Sequence, residues 1–455
     1  MTNPEWRLGL KPEIADEIEL IISAFRDAPE NPKEISVVPT EGGGVHYMYA
    51  EGEILVTDEH LGRVLEILGY KNEHDLKRDE PGRIRRVIAG VVLLVLGEPH
   101  PSVVDALNLI DQDLGRGIAT PNQVLTVAGG EPTSCPATEP EEVYVDIEPY
   151  PSVCRHNGGG GVLVYMADTG LQRDTAATHP WLAGVTVGNE QEDYDVYQPP
   201  LPGAVNPPLI PPYTGHGTFV AGVLRCMAPA AEIIVTSAFA IAGSELESDL
   251  VPRLEAALGL GADIFHLTIS CMSRHDLPLI AFREWLRRLH EYGGAVCVVA
   301  AGNSGVRRPS WPAAFAEVIS VGALGGDWRG RASFSNFGPW VDVYAPGRDL
   351  VNAYTTGTYE CHVAPYAGDP RHFYGMAKWS GTSFSTPIVS GLIAARMSDT
   401  GENARQAAAA VLAEAQARAI PGVGPVLLPC CHESRAPRPP DECGCRTCRH
   451  RPGAC

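Results

Sequence analysis

From Gly161 onward, short apolar runs alternate with amphipathic segments, and this alternation restricts the fold more than any other feature of the chain. The runs GVLVYMA, EIIVTSA, ADIFHLTI, GAVCVVAA and EVISVGAL are almost continuously hydrophobic. Strands of that kind are buried on both faces, as in a parallel sheet covered by helices. Helical patterns from His216, near Glu245–Leu260, near Pro278–His290 and from about Thr382 supply the covering layers. The expected fold class is therefore α/β, a mostly parallel sheet flanked by helices on both faces. Active sites in such sheets gather at the C-terminal ends of the strands.

The 455 residues exceed what one compact core usually holds, so a second unit is expected. Residues 1–130 supply it: a helical start, then GEILVTD, EHLGRVLEILG, RVIAGVVLLVL, PSVVDALNLIDQDLG and NQVLTVA as strand, helix, strand, helix and strand. These read as two βαβ-like units in a small α+β domain. Residues 131–160 turn to proline, acidic residues and the run HNGGGG, a linker composition. The α/β unit spans 161–420 and closes on the alanine-rich helix Asn403–Arg418, and 421–455 form a tail rich in Cys, Pro and Arg.

A net charge of -20 repels nucleic acid and anionic membrane, so neither is expected as a partner. The longest apolar run, Val87–Leu96, is too short to span a bilayer. The N-terminus lacks a basic flank followed by an apolar core and cleavage site, which predicts a cytoplasmic protein, the alternative being secretion by a non-standard route. Cys226, Cys271 and Cys297 lie in apolar segments and read as inert core thiols. The tail gathers Cys430, Cys431, Cys443, Cys445, Cys448 and Cys455 with His432 and His450. Thiolate pairs spaced like Cys445 and Cys448 can hold zinc, yet the set matches no standard finger, and a flexible oxidisable tail is the competing reading. No cofactor and no metal are expected in the main unit.

Four short segments at predicted element ends carry residue types that nucleophilic catalysis needs. YMADTGL puts Asp168 at the end of a buried strand, where it could equally be a turn cap. TGHGTFVAG opens a helix with His216 between glycines, which allow close approach to the ring. WSGTSFSTP places Ser383 at a helix start, where unsatisfied N–H groups favour negative charge. VVAAGNSG puts Asn303 just past a strand, where its amide can donate to an oxyanion. Ser380, Thr382, Ser385 and Thr386 are left as packing and capping groups.

In that order, DTG, GHGTFVAG, AAGNSG and SGTSFSTP resemble the subtilisin-like serine peptidases, the subtilase family (peptidase family S8). The likeness runs from about Gly161 to Met397 and includes WPAAFAEVISVGA and RASFSNFGPWVDVYAPG. It implies a serine endopeptidase with Asp168 as orienting acid, His216 as general base, Ser383 as nucleophile and Asn303 as oxyanion donor. Thr268, Ile269 and Ser270 would line one wall of the main substrate pocket, with Ala300, Ala301 and Gly302 opposite. A peptide or protein substrate would pair with HLTISC as an added strand. The resemblance further implies that the N-terminal domain is an inhibitory, fold-assisting propeptide cut in the following linker. A retained regulatory or docking domain is the alternative. The loop that carries a strong calcium site in many relatives is missing after GHGTFVAG, so that site is not expected. A peptide ligase or macrocyclase on the same triad, and a silent peptide-binding module, are the rival functions.

Overall fold

The structure is a computed structural model that describes residues 10, 12–28, 31–100, 102–127, 137–144, 147–154, 157–172, 175–188, 209–239, 242–363 and 365–429. The cysteine-rich tail, and most of the acidic and proline-rich stretch between Asp168 and His216, lie outside these residues.

The N-terminal unit comprises α1 (Pro12–Arg26), β1 (Ile35–Pro39), β2 (Val45–Thr57), α2 (Leu61–Ile67), α3 (Glu73–Asp79), β3 (Ile84–Ile88), β4 (Val91–Val95), α4 (Val103–Leu114) and β5 (Ala119–Thr126). The expectation of βαβ-like units fails here, because β2 pairs antiparallel with β1, β4 and β5, and β3 pairs antiparallel with β4. The run RVIAGVVLLVL is a hairpin, not one strand. Gly90, at φ +93°, makes the reversal at Ala89–Gly90 that a residue with a Cβ would resist. Period-2 alternation buries this sheet on both sides. Ile54, Val56 and Leu94 join a cluster with Leu61, Val64 and Leu107 of its own helices, while Leu55 and Leu93 join the main core of the larger unit.

That larger unit contains β6 (Leu163–Asp168), α5 (Thr175–Thr178), β7 (Val185–Val187), β8 (Leu209–Ile210), α6 (His216–Met227), β9 (Glu232–Ser237), β10 (Ser244–Leu246), α7 (Glu247–Leu258), β11 (Ile264–Leu267), α8 (Ile280–Glu291), β12 (Val296–Ala300), β13 (Ile319–Leu324), β14 (Val343–Pro346), β15 (Leu350–Glu360), β16 (Pro370–Trp379), α9 (Thr382–Thr400) and α10 (Ala404–Ala417). Seven strands form a parallel sheet in the order β14-β13-β12-β11-β6-β9-β7. Helices cover both faces, as the apolar runs require. On β11, Phe265 packs edge-on to Trp285 of α8, and the next residue, His266, hydrogen-bonds Ser390 of α9 across 2.9 Å. The chain leaves β6 toward β9 and later returns to β11 on the other side of β6, so a topological switch lies between β6 and β11.

Strand pairing and ion pairs join the two units. β5 pairs antiparallel with β10, Arg274 meets Asp111 at 2.7 Å, and Arg85 meets Asp249 at 2.8 Å. The glycine run of the composition-based linker is close packing: a Cβ on Gly158 would stand 2.9 Å from the Ala395 Cβ, and one on Gly159 2.9 Å from those of Ala228 and Ala231. Cys226, Cys271 and Cys297 are buried free thiols, and burial pushes Cys226 up to about 12.

Candidate active site

Asp168 ends β6 at the switch crevice with no exposed surface. Its Oδ1 accepts from His216 Nδ1 at 2.7 Å and from the Thr169 amide at 2.8 Å, and its Oδ2 accepts from the Thr268 hydroxyl at 2.5 Å. Burial by itself would raise this carboxyl. The adjacent imidazole charge and the three hydrogen bonds outweigh burial and hold it below the ordinary carboxylate range. Asp168 is thus an ionised acceptor that fixes Nδ1 of His216 as donor.

His216 is the first residue of α6. Gly215 before it has φ +78°, which turns the chain into the helix, and a Cβ there would press into the Tyr354 ring at 2.6 Å. Behind it, a Cβ on Gly217 would fall 2.2 Å from the Gly170 carbonyl and 3.2 Å from Asp168 Oδ1. The second glycine therefore makes room for the Gly170 backbone and for the acid, a second side chain brought close to the ring. The Gly217 amide also donates to the Thr169 hydroxyl at 3.0 Å, tying the helix start to the residue after Asp168.

Ser383 is the second residue of α9 and is 1% exposed. Asn303 follows β12, and its Oδ1 accepts from both the amide and the hydroxyl of Thr382 at 2.9 Å. Thr382 also receives the Gly302 amide at 3.1 Å. These bonds turn the Asn303 NH2 group away from Thr382 and lock the loop after β12 to the start of α9. Thr382 is therefore more than the capping group the sequence suggested, since it orients Asn303.

The pocket residues divide. Ser270 exchanges both backbone hydrogen bonds with Thr126, at 3.0 and 3.2 Å, so the N-terminal unit supplies an extended strand at the place expected for a peptide. Ile269 is fully buried in the main cluster, and the Thr268 hydroxyl is committed to Asp168. Ala300, Ala301 and Gly302 are buried at the end of β12, where Ala301 packs with Leu324 and Tyr344.

The strand from β5 continues through Val127, whose amide donates to the Gly243 carbonyl at 2.9 Å and whose carbonyl lies 3.5 Å from Ser383 Oγ. His216 Nε2 is buried and makes no hydrogen bond among the described residues. Ser383 Oγ is thus turned to the Val127 carbonyl. Two aromatic neighbours of His216 had no local signal in the sequence: Trp379, with ring centroids 5.8 Å apart, and Phe384, at 5.4 Å.

This geometry on a seven-stranded parallel sheet belongs to a recognisable class. The family profile described as "Subtilase family" matches residues 159–423, more than half of the chain, and the chain belongs to that family. It is 32% identical over 260 residues to the thermophilic serine proteinase of Bacillus sp. (strain AK1), covering 54% of each chain. It is 29% identical over 277 residues to thermitase of Thermoactinomyces vulgaris, covering 58% of this chain and 84% of thermitase. The chain thus spans only about half the length of the first of these relatives. The crystal structure of fervidolysin from Fervidobacterium pennivorans, described as a keratinolytic enzyme related to subtilisin, superposes with a TM-score of 0.53 at 18% identity. That superposition covers 84% of this chain and 60% of fervidolysin, so the shared fold reaches beyond the family-matched stretch. Among the described residues, no helix is long and apolar enough to cross a membrane.

Proposed function

We propose that the chain is a serine-type endopeptidase that hydrolyses peptide bonds with Ser383 as nucleophile, His216 as general base, Asp168 as orienting acid and Asn303 as oxyanion donor. The observation that carries this reading is the 2.7 Å bond from His216 Nδ1 to Asp168, which leaves Nε2 as the basic nitrogen in a site where Ser383 Oγ stands against a chain carbonyl.

In the first half-reaction His216 Nε2 takes the Ser383 proton as Oγ bonds to the substrate carbonyl carbon. The carbonyl electron pair moves onto oxygen, and the Asn303 side-chain N–H and the Ser383 amide at the start of α9 donate hydrogen bonds to that oxyanion. The imidazolium then gives its proton to the amine nitrogen as the C–N bond breaks. Water repeats the sequence on the acyl-serine, releasing the acid and restoring the hydroxyl. Asp168 stays ionised throughout and stabilises the imidazolium.

The N-terminal unit acts in this reading as an intramolecular inhibitor, with residues 124–127 laid as a strand between β10 and Ser270 in the manner of a substrate. Backbone pairing gives sequence-independent affinity. The near-complete burial of Ser383 and His216 supports inhibition, because no second peptide can reach them while this strand stays. The strand passes Ser383 at Val127, so self-cleavage is expected within Val127–Gly130. Intact mass and N-terminal sequencing of the wild type against Ser383→Ala test this: the wild type should be cut in that stretch and the variant should keep its full mass. A wild type that stays uncut, or a variant cut at the same place, would contradict it.

A further inference from the structure

We propose that Trp379 is a positioning residue for His216, and that residues 138–142 hold it in that role as a strap that stays with the peptidase unit after the N-terminal unit is cut away. The proposal rests on the triad reading above.

One hydrogen bond from Nδ1 to Asp168 fixes the direction of the His216 ring but leaves it free to turn about that bond. Two aromatic walls remove this freedom. Trp379 stands edge-on to the imidazole, at 5.8 Å and 82°, and Phe384 lies tilted against it at 5.4 Å. The walls brace each other at 5.2 Å, and Phe219 backs both, at 5.8 Å from Trp379 and 4.4 Å from Phe384. Trp379 is 2% exposed and ends β16, four residues ahead of Ser383. A shift of its backbone is therefore felt by the base through the ring and by the nucleophile through the chain.

The indole carries one polar hydrogen, and it goes to the strap: Nε1 donates to the Thr138 carbonyl at 2.6 Å. Glu141 exchanges both backbone hydrogen bonds with Lys378, at 2.8 and 2.9 Å, so the strap joins β16 beside the residue that precedes Trp379. Arg371 donates to the Pro140 carbonyl at 2.6 Å. The Glu139 carboxylate, 7% exposed, accepts from the Tyr359 hydroxyl at 3.1 Å and from the His362 amide, which pins the strap to the β15–β16 hairpin. Further along, Tyr150 exchanges both backbone bonds with Val351, and the Cys154 amide donates to the Cys226 carbonyl at 2.7 Å, on the helix that His216 opens. All these contacts lie downstream of Val127, so a cut there leaves them in place. Buried charge-assisted bonds and added-strand pairing of this kind are not features of a spacer.

The test uses the full chain, allowed to mature, with steady-state kinetics on a peptide substrate and the rate of Ser383 labelling by a fluorophosphonate. Trp379→Leu is expected to lower kcat and the labelling rate about tenfold or more with KM within about twofold, since small misplacements of a catalytic group cost up to about 10²-fold. Trp379→Phe, which keeps a ring but not the strap bond, should recover part of the loss. Glu139→Ala, which loosens the strap without touching the Trp379 ring, should lower kcat a few-fold at unchanged KM, and it decides the matter if Trp379→Leu does not fold. Wild-type kcat and labelling rate in folded Trp379→Leu, or in Glu139→Ala if that variant must decide, would overturn the inference. A loss confined to KM would also overturn it, because it would make Trp379 a substrate wall. A wild type that never labels at Ser383 overturns the triad reading itself, and this inference with it.

Discussion

His216 Nδ1 donates to Asp168 Oδ1 across 2.7 Å, and neither side chain has any exposed surface. A bond so shielded fixes one tautomer, and in the proposed mechanism Nε2 is left as base. Asp168→Asn presents an amide that can donate as well as accept and so favours the wrong tautomer. Its kcat should fall on the order of 10⁴-fold with KM little changed, as steady-state kinetics on the matured protein will show.

Thr268 belongs to the same unit, because its hydroxyl stabilises the ionised form of Asp168 from the other carboxylate oxygen. Thr268→Val removes that bond, so the carboxyl protonates at higher pH. Across the pH profile kcat/KM should fall roughly tenfold, the worth of a hydrogen bond to a charged group. Thr268→Ser should restore the profile.

Asn303 is oriented by two bonds from Thr382. In the proposed mechanism Asn303→Ala removes a donor whose value is realised only when the oxyanion forms. Expected is a loss of about 10²- to 10³-fold in kcat with KM nearly constant. A loss that appeared mainly in KM would place Asn303 in ground-state binding.

Glu247 predicts a pH-dependent stability. Burial pushes its carboxyl up to about 8, only partly offset by the Ala281 and Phe282 amides at the start of α8. The folded state then holds a proton that the unfolded chain releases near pH 4.5. This contribution is complete below that pH, declines as pH rises, and is gone above about 8. Glu245, pushed up to about 7, acts in the same direction. In a Ser383→Ala background, Tm should fall between about pH 5 and 8, and Glu247→Gln should flatten that slope.

These residues also show what could be read without coordinates. Runs such as GVLVYMA and GAVCVVAA announced the parallel sheet because burial on both faces leaves its mark on every residue of a strand. Asp168, His216, Asn303 and Ser383 stood out as candidates because each lies at or just past an element end beside glycines or hydroxyls, and because the four motifs in that order resemble one family. Pairing is another matter, since it depends on distant partners. RVIAGVVLLVL looks like one strand until Gly90 reverses it, and the antiparallel order around β2 has no local trace. The glycines before Gly161 have the composition of a linker, yet their role is to let Ala395, Ala228 and Ala231 close in. The Thr268 bond to Asp168 and the Trp379 wall beside His216 join residues 100 and 163 positions apart, beyond the reach of any motif.

The central claim is that Ser383 is made nucleophilic by His216, and covalent labelling by a fluorophosphonate tests it most directly. In the matured wild type, peptide mass spectrometry should place the phosphonyl group on Ser383, and both Ser383→Ala and His216→Ala should abolish the adduct. An adduct that persists in Ser383→Ala, or a matured wild type that takes up no label, would contradict the account.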